Sequence, residues 1–285
     1  MYDFPIGAIV DSFRCDTKEA VKKAEAIGIK GLQMYCTRGA HGPENFGKEQ
    51  RRDLLQYVKD HGMVFSAICG DLGRGFGDPA LNPELIEQSK RIMDMAKDFE
   101  TNIVTTHIGV VPADKNHDRY KIMQEACYEL ARYADSIGSH FAVETGPEPS
   151  AVLAEFLDSL DSTGVAVNLD PANLVMVTGD DPVQAVYNLR RYIVHTHAKD
   201  GVKLADGNPE YIYRVVHPIP EEVQGVKYFK EVPLGTGSVD FAKYLAALDD
   251  IGYRGFLTIE REVGDDPARD IQTAYEHLKK VIREN

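Results

Sequence analysis

Cysteine is scarce in this chain. Its four residues, Cys15, Cys36, Cys69 and Cys127, form no Cys-x-x-Cys pair. At 285 residues that usage excludes a disulfide framework and leaves four reduced, mostly buried thiols as the expectation. Long apolar runs are absent too. No stretch approaches 18 consecutive apolar residues, which excludes a helical membrane span. The opening segment MYDFPIGAIVDSF has no basic stretch and carries Asp3 and Asp11, so it does not read as a signal peptide. Positive charge is in deficit, with 32 Lys and Arg against 45 Asp and Glu, a net charge of -13. Such a surface repels phosphate backbones and anionic membranes, which argues against nucleic-acid and membrane partners. No Pro/Ser-rich linker or shift in composition divides the chain. The expectation is a cytoplasmic enzyme acting on a small molecule.

What the chain does have is ordinary globular composition, 43% hydrophobic and 27% charged, and a repeated alternation. Short β-branched runs precede segments of helical period. IGAIV (6–10) precedes a helix over 17–28, opened by Asp16 or Thr17 and stopped by Gly28. GLQMYC (31–36) precedes a helix over 47–61, MVFSAIC (63–69) one over 83–99, and NIVTTHIG (102–109) one over 116–137. HFAVETG (140–146) precedes 150–160, and VAVNLD (165–170) precedes a helical stretch interrupted at Gly179 and resumed over 181–190. YIVHTHA (192–198) leads through a long connection to 239–252, and GFLTIERE (255–262) precedes 268–282. Eight strand–helix units with near-continuously apolar strands predict a single-domain α/β protein, a (β/α)8 TIM barrel over residues 1–285. An open doubly wound sheet is the alternative.

In a barrel of this kind the chemistry sits at the C-terminal ends of the strands. There, strand four offers His107, strand five Glu144, strand six Asp170, strand seven the pair His195 and His197, and strand eight Glu260. Alternation places Thr196 on the opposite face from both histidines and cannot choose between them. Three carboxylates and an imidazole at one mouth would be costly to bury uncompensated. A divalent cation is the natural counter-charge, and oxygen-rich ligation with one nitrogen suits Mn2+ first, with Mg2+, Co2+ or Zn2+ also compatible.

These residues lie in the strings ETG (144–146), NLDPAN (168–173), HTHAKD (195–200), LGTGSVDF (234–241) and GFLTIERE (255–262). With their order along the chain, the sequence resembles the xylose isomerase-like TIM-barrel superfamily, the sugar phosphate isomerase/epimerase family. The resemblance implies one divalent metal held by Glu144, Asp170, His197 and Glu260. It selects His197 over His195 through the pattern His-x-Lys-Asp. It further implies a sugar or keto-sugar substrate and proton abstraction next to a carbonyl, with the ion stabilising the enediolate. Glu144 and Glu260 are then the acid–base pair. A dehydratase of a keto-inositol or dehydroshikimate-like substrate would share the first step. The DNA repair endonuclease relative needs a His three residues after Asp170 and a later Asp-x-His pair; here the first position is Asn173 and only His217 follows strand seven. Ketose 3-epimerases also carry that His, and an Arg six residues after the metal His, where this chain has Lys203. A binding barrel without catalysis is disfavoured by the complete ligand set.

His107, Asn173, Lys199 and Lys203 are the expected substrate contacts, with a surface ion pair to Asp200 as the other role for Lys199. Gln33 is a further candidate, and Arg261 is expected to point away in a continuing strand. Glu148 either starts the contact set of the loop after strand five or favours the N-terminus of the helix that follows it. The segment 201–237 after strand seven is expected to be a long loop, either a lid carrying Tyr211, Tyr213 and Phe229 or an arm between subunits of a homo-oligomer. The Gly-rich stretch CGDLGRGFGD (69–78) lacks a P-loop signature and reads as a pocket-edge loop.

Overall fold

Each β-branched run forms one parallel strand, and each helical-period segment returns the chain to the start of the next. The computed structural model describes residues 2–284. In chain order the strands are β1 (Ile6–Ile9), β2 (Gly31–Tyr35), β3 (Val64–Cys69), β4 (Ile103–Thr106), β5 (His140–Glu144), β6 (Val165–Leu169), β7 (Ile193–Ala198), β8 (Asp200–Lys203), β9 (Phe229–Val232) and β10 (Leu257–Ile259). Eight of them close in the order β1-β10-β7-β6-β5-β4-β3-β2, every pair parallel. Closure removes the open edges of the doubly wound alternative.

The helices are α1 (Thr17–Ile27), α2 (Lys48–Asp60), α3 (Asn82–Asp98), α4 (Asp118–Ile137), α5 (Ser150–Asp158), the single turn α6 (Pro171–Asn173), α7 (Pro182–Leu189), α8 (Pro209–Ile212), α9 (Phe241–Asp250) and α10 (Pro267–Glu284). Helix α1 begins and ends where the sequence predicts. The Asp16 side chain accepts from Lys18 N, and Gly28 closes the helix in the left-handed conformation. Strand and helix faces share one continuous apolar core, including Val104, Phe141, Val167, Met123, Leu130 and Leu153. Cys36, Cys69 and Cys127 are buried within the fold and Cys15 is half-buried, all four as free thiols.

Two expectations need correction. The eighth barrel strand is short, Leu257–Ile259 rather than 255–262. Side chains capture the backbone beyond Glu260, so no neighbouring strand can: Arg261 N donates to Ser12 Oγ, and Glu262 N to the Glu231 carboxylate. The segment 201–237 is not one long loop either. It starts inside an antiparallel ribbon in which β8 pairs with β9, Asp200 opposite Val232 and Lys203 opposite Phe229, and it carries α8 between them. Phe229-Lys-Glu-Val shows no apolar alternation of its own, so only its tertiary pairing makes it a strand.

Candidate metal centre and its pocket

Four residues from four successive barrel strands meet at the mouth. Glu144 ends β5, Asp170 follows β6, His197 lies in β7 and Glu260 follows β10. Each offers one ligand atom, these atoms lie within 4.8 Å of one another, and all four residues are buried. His197 Nδ1 stands 3.0 Å from Glu260 Oε2, 3.4 Å from Asp170 Oδ2 and 3.6 Å from Glu144 Oε1.

Local sequence fixes each ligand. Asp170 keeps extended backbone angles because Pro171 follows it and starts the turn α6; its Oδ1 caps that turn by accepting from Asn173 N at 2.9 Å. The Thr145 hydroxyl accepts from Asp170 N and donates to Asp170 O. Asp170 Oδ2 is thereby aimed at the cluster. Glu144 accepts from Asn173 Nδ2 at 3.0 Å and Asn168 Nδ2 at 3.2 Å. Gly146, at φ 140°, lets the next loop pass where a Cβ would lie 2.5 Å from Asn173 Cβ and 2.8 Å from the Tyr213 hydroxyl. Gln33 on β2 reaches across the barrel. Its amide nitrogen donates to Thr105 Oγ1, which turns Oε1 toward His197 Nε2 at 3.1 Å. Asn168 Nδ2 also lies 3.1 Å from Nε2; with the Nε2 proton donated to Gln33, neutral His197 carries its lone pair on Nδ1, facing the carboxylates. Thr196, facing outward, bonds to Leu169 O and to the Tyr244 hydroxyl of α9.

The donor set fits a divalent ion. Asp170 Oδ2 and His197 Nδ1 are buried with no hydrogen-bond partner among the described residues, an expensive arrangement that a shared cation relieves. Adjacent ligands of an ion bound at ~2.1 Å stand ~3 Å apart, close to the separations seen here. Three carboxylates with one imidazole suit a hard or borderline ion, not a structural zinc site.

The electrostatics divide the acids. Burial raises Asp170, and the nearby His197 and Lys199 only partly offset it. Burial opposes ionisation of Glu260 and Glu144 as well, but Lys199 and His197 hold Glu260 low, while His107 and His197 hold Glu144 low. Lys199 is 4% exposed and donates to Glu260 Oε2 at 3.2 Å and Glu262 Oε2 at 2.7 Å. It forms no surface pair with Asp200. That aspartate is itself buried and accepts from Gly201 N, Gly235 N, Gly237 N and Val239 N, which ties the LGTG segment to β8.

A cavity of about 500 Å³ opens over the cluster, walled among others by Tyr35, Asp71, His107, Asn173, Lys199, Tyr213, Phe229 and Glu262. Tyr213 and Phe229 reach it from the segment after β7; Tyr211 does not line it. Of the expected substrate contacts, His107, Asn173 and Lys199 line it. Lys203 lies outside that wall, on β8, in an ion pair with Asp206. Position six after the metal histidine turns away because the ribbon starts at Asp200. Gln33 is beneath the cluster, bonded to His197 rather than lining the cavity. Arg261 turns outward to Glu231 and Asp270. Glu148 does not serve a helix end: it is 3% exposed, accepts from Val111 N at 2.9 Å, and burial pushes its carboxyl up to about 8. His195 is buried, and burial together with the neighbouring His197 holds it well below the usual histidine range.

Asp71, within the Gly-rich stretch, has no signal in the sequence. Its Oδ2 lies 3.0 Å from His107 Nδ1. Burial alone would lower His107, but the Glu144 charge and the Asp71 hydrogen bond outweigh it and carry the ring up to about 9. His107 Nε2 is buried with no hydrogen-bond partner among the described residues and lies 3.7 Å from Glu144 Oε1.

The model of the xylose isomerase-like TIM barrel matches residues 21–281. The chain belongs to that family. A solved xylose isomerase domain protein from Planctomyces limnophilus superposes with a TM-score of 0.81 at 25% identity, covering 99% of each chain. A protein provisionally named L-ribulose-5-phosphate 3-epimerase SgbU, from Haemophilus influenzae, is 23% identical over 89% of this chain and 87% of its own length. An inosose dehydratase from Clostridium beijerinckii is 24% identical over 58% of this chain, a match that spans only 53% of the dehydratase. Relatives of this family member thus carry the names of sugar epimerases and inosose dehydratases, and its buried Glu, Asp and His cluster can bind a metal ion. Among the described residues no helix is long and apolar enough to cross a membrane.

Proposed function

We propose that this family member is a divalent-metal-dependent isomerase or epimerase of a small sugar or keto-sugar, starting with removal of a proton from carbon next to a carbonyl. One observation carries the reading: two buried glutamates, Glu144 and Glu260, flank a buried Asp–His pair at the barrel mouth. A divalent ion held by these four residues supplies Lewis-acid polarisation of the carbonyl, with manganese the first ion to test. Glu144, oriented by Asn168 and Asn173, is one proton acceptor or donor; Glu260, held by Lys199, is the other. In the barrel order β6 and β7 separate their strands, so the two carboxyl groups reach the reacting carbon from different sides. Both carboxylates are held ionised, so inversion needs one of them to take a proton first; His107, protonated and 3.7 Å from Glu144, can supply it, after which Glu260 would remove the substrate proton from one face and Glu144 return one to the other. Tyr213 and Phe229 contribute aromatic surface to the cavity wall.

A specific feature favours a second reading. The Asp71–His107 pair keeps a protonated imidazole beside Glu144, suited to deliver a proton to a departing hydroxyl. That would make the enzyme a dehydratase with the same first step. Metal-reconstituted protein incubated with a panel of keto-sugars and inososes in D2O, followed by NMR, separates the outcomes. Deuterium at the carbon next to the carbonyl with every hydroxyl retained supports isomerisation or epimerisation. An unsaturated product assigns the dehydratase. No exchange with any substrate of the panel rejects both.

A further inference from the structure

Eight large hydrophobic side chains are exposed among the described residues, and three of them, Tyr35 (36%), Phe229 (39%) and Val263 (47%), line the cavity over the metal cluster. Tyr35 ends β2, Val263 follows β10, and Phe229 opens β9, whose partner β8 continues from β7. In the barrel order these elements span the arc β7-β10-β1-β2. Asp71, His107 and Glu144 stand on the opposite arc, after β3, after β4 and at the end of β5. Single exposed apolar residues are ordinary. Residues from three separate elements gathered on one cavity form a patch, and such patches mark binding surfaces.

The apolar lining continues inward. Met176 and Val177 follow β6, both buried, and line the cavity together with Ile212 of α8. The acids beside this wall are already engaged, Glu231 by Arg261 and Glu262 by Lys199, and Lys230 is exposed to solvent. A monosaccharide pressed against such a wall would bring hydroxyl groups out of water without giving them partners, which is costly. The acid and imidazole side supplies hydrogen-bonding groups for one ring. An apolar group attached to that ring would instead bury its own surface with that of Phe229 and Val263, a gain that grows with the area removed from water.

We propose that this wall is an apolar subsite, and that the substrate is a keto-sugar carrying an aryl or alkyl substituent in place of a bare monosaccharide; the proposal rests on the sugar-enzyme reading above. The ring sits over the metal cluster against His107 and Asn173. Its substituent runs outward along Ile212, Phe229 and Val263 to the rim at Tyr35. The segment after β7 supplies two of those side chains, so α8 and the β8–β9 ribbon set which substituent is accepted. A second copy of the chain seated on the same side chains would close the cavity to its own substrate, which favours a ligand over an interface.

Calorimetric titration of the manganese-reconstituted chain with paired methyl and phenyl β-glycosides of glucose, galactose, mannose and xylose tests this. These probes carry no carbonyl, so they report binding and not turnover. For at least one sugar the phenyl glycoside should bind about 10-fold more tightly than the methyl glycoside. Phe229→Ser and Val263→Ser, on separate elements, should each remove most of that preference. Tyr128→Ser, exposed on α4 and outside the cavity, should leave it intact. Thermal melting of the variants close to the parent excludes misfolding as the cause, and the comparison of the two glycosides in the parent chain needs no variant. Three results overturn the subsite: no phenyl preference for any sugar of the panel, a preference that persists in both cavity variants, or sedimentation showing a dimer that Phe229→Ser separates into monomers. Proton exchange with keto-sugars in D2O is read separately. Exchange without a phenyl preference removes the subsite and leaves the reaction; a phenyl preference without exchange does the reverse.

Discussion

Gln33 Oε1 lies 3.1 Å from His197 Nε2, a contact that spans the barrel from β2 to β7. It fixes which ring nitrogen of His197 faces the three carboxylates. Replacing Gln33 by Leu keeps the bulk and removes the acceptor. Metal affinity should fall about 10- to 100-fold, as is usual when a partner behind a metal-binding histidine is lost. Manganese titration followed by electron paramagnetic resonance measures it, and unchanged affinity contradicts the assignment.

Lys199 and Glu260 form a buried pair, 4% and 7% exposed. Lys199→Met leaves the Glu260 carboxylate without its cation and should cost about 3–5 kcal/mol. Lys203→Met removes a more exposed ion pair with Asp206 and should cost less than about 1 kcal/mol. Urea denaturation of the two variants in parallel provides the comparison. Equal costs would remove the special status of Lys199.

Glu148 gives a pH signature. Its carboxyl sits at about 8 in the folded chain because burial disfavours the charge, against 4.5 for an unperturbed glutamate. The folded state therefore binds more protons between those values, and stability falls as pH rises through that window, by up to ~1.4 kcal/mol per pH unit. Glu148→Gln cannot ionise. Its stability relative to the parent should improve steadily from pH 5 to pH 8 and then level off. A pH-independent difference between the two proteins contradicts a neutral buried carboxyl.

Metal removal should destabilise the fold. Asp170 Oδ2 and His197 Nδ1 lack partners without an ion, so manganese at 100 times its Kd should add about 2.7 kcal/mol. Asp170→Asn should abolish most of that gain. Calorimetric melting with and without chelator reads the difference.

The barrel was legible because eight apolar runs at strand length alternate with helices of one apolar face, and closure places every strand end at one mouth. Glu144, Asp170 and Glu260 stood out for the same reason, each at or just past a strand end, whereas only the family pattern His-x-Lys-Asp separated His197 from His195. Contacts made across the barrel were not legible. Gln33 and His197 are 164 positions apart, and nothing local marks their pairing. Lys199 had two acidic neighbours to choose from; the backbone amides around Gly235 and Gly237 took Asp200, which left Lys199 to Glu260 and Glu262. Glu148 read either as a loop contact or as a helix-start residue, because its burial depends on the loop after β4 folding over it. The β8–β9 ribbon escaped notice because its strands show no alternation. Asp71 lies in the Gly-rich pocket-edge loop, whose composition does not mark which of its residues meets His107.

The central claim is a single cation shared by side chains from four strands. Anomalous diffraction at the manganese edge, from crystals grown with manganese, tests it most directly. The account predicts one peak within coordination distance of Glu144, Asp170, His197 and Glu260, absent from His197→Ala crystals. A structure with manganese in the crystals and no peak among these residues would contradict it.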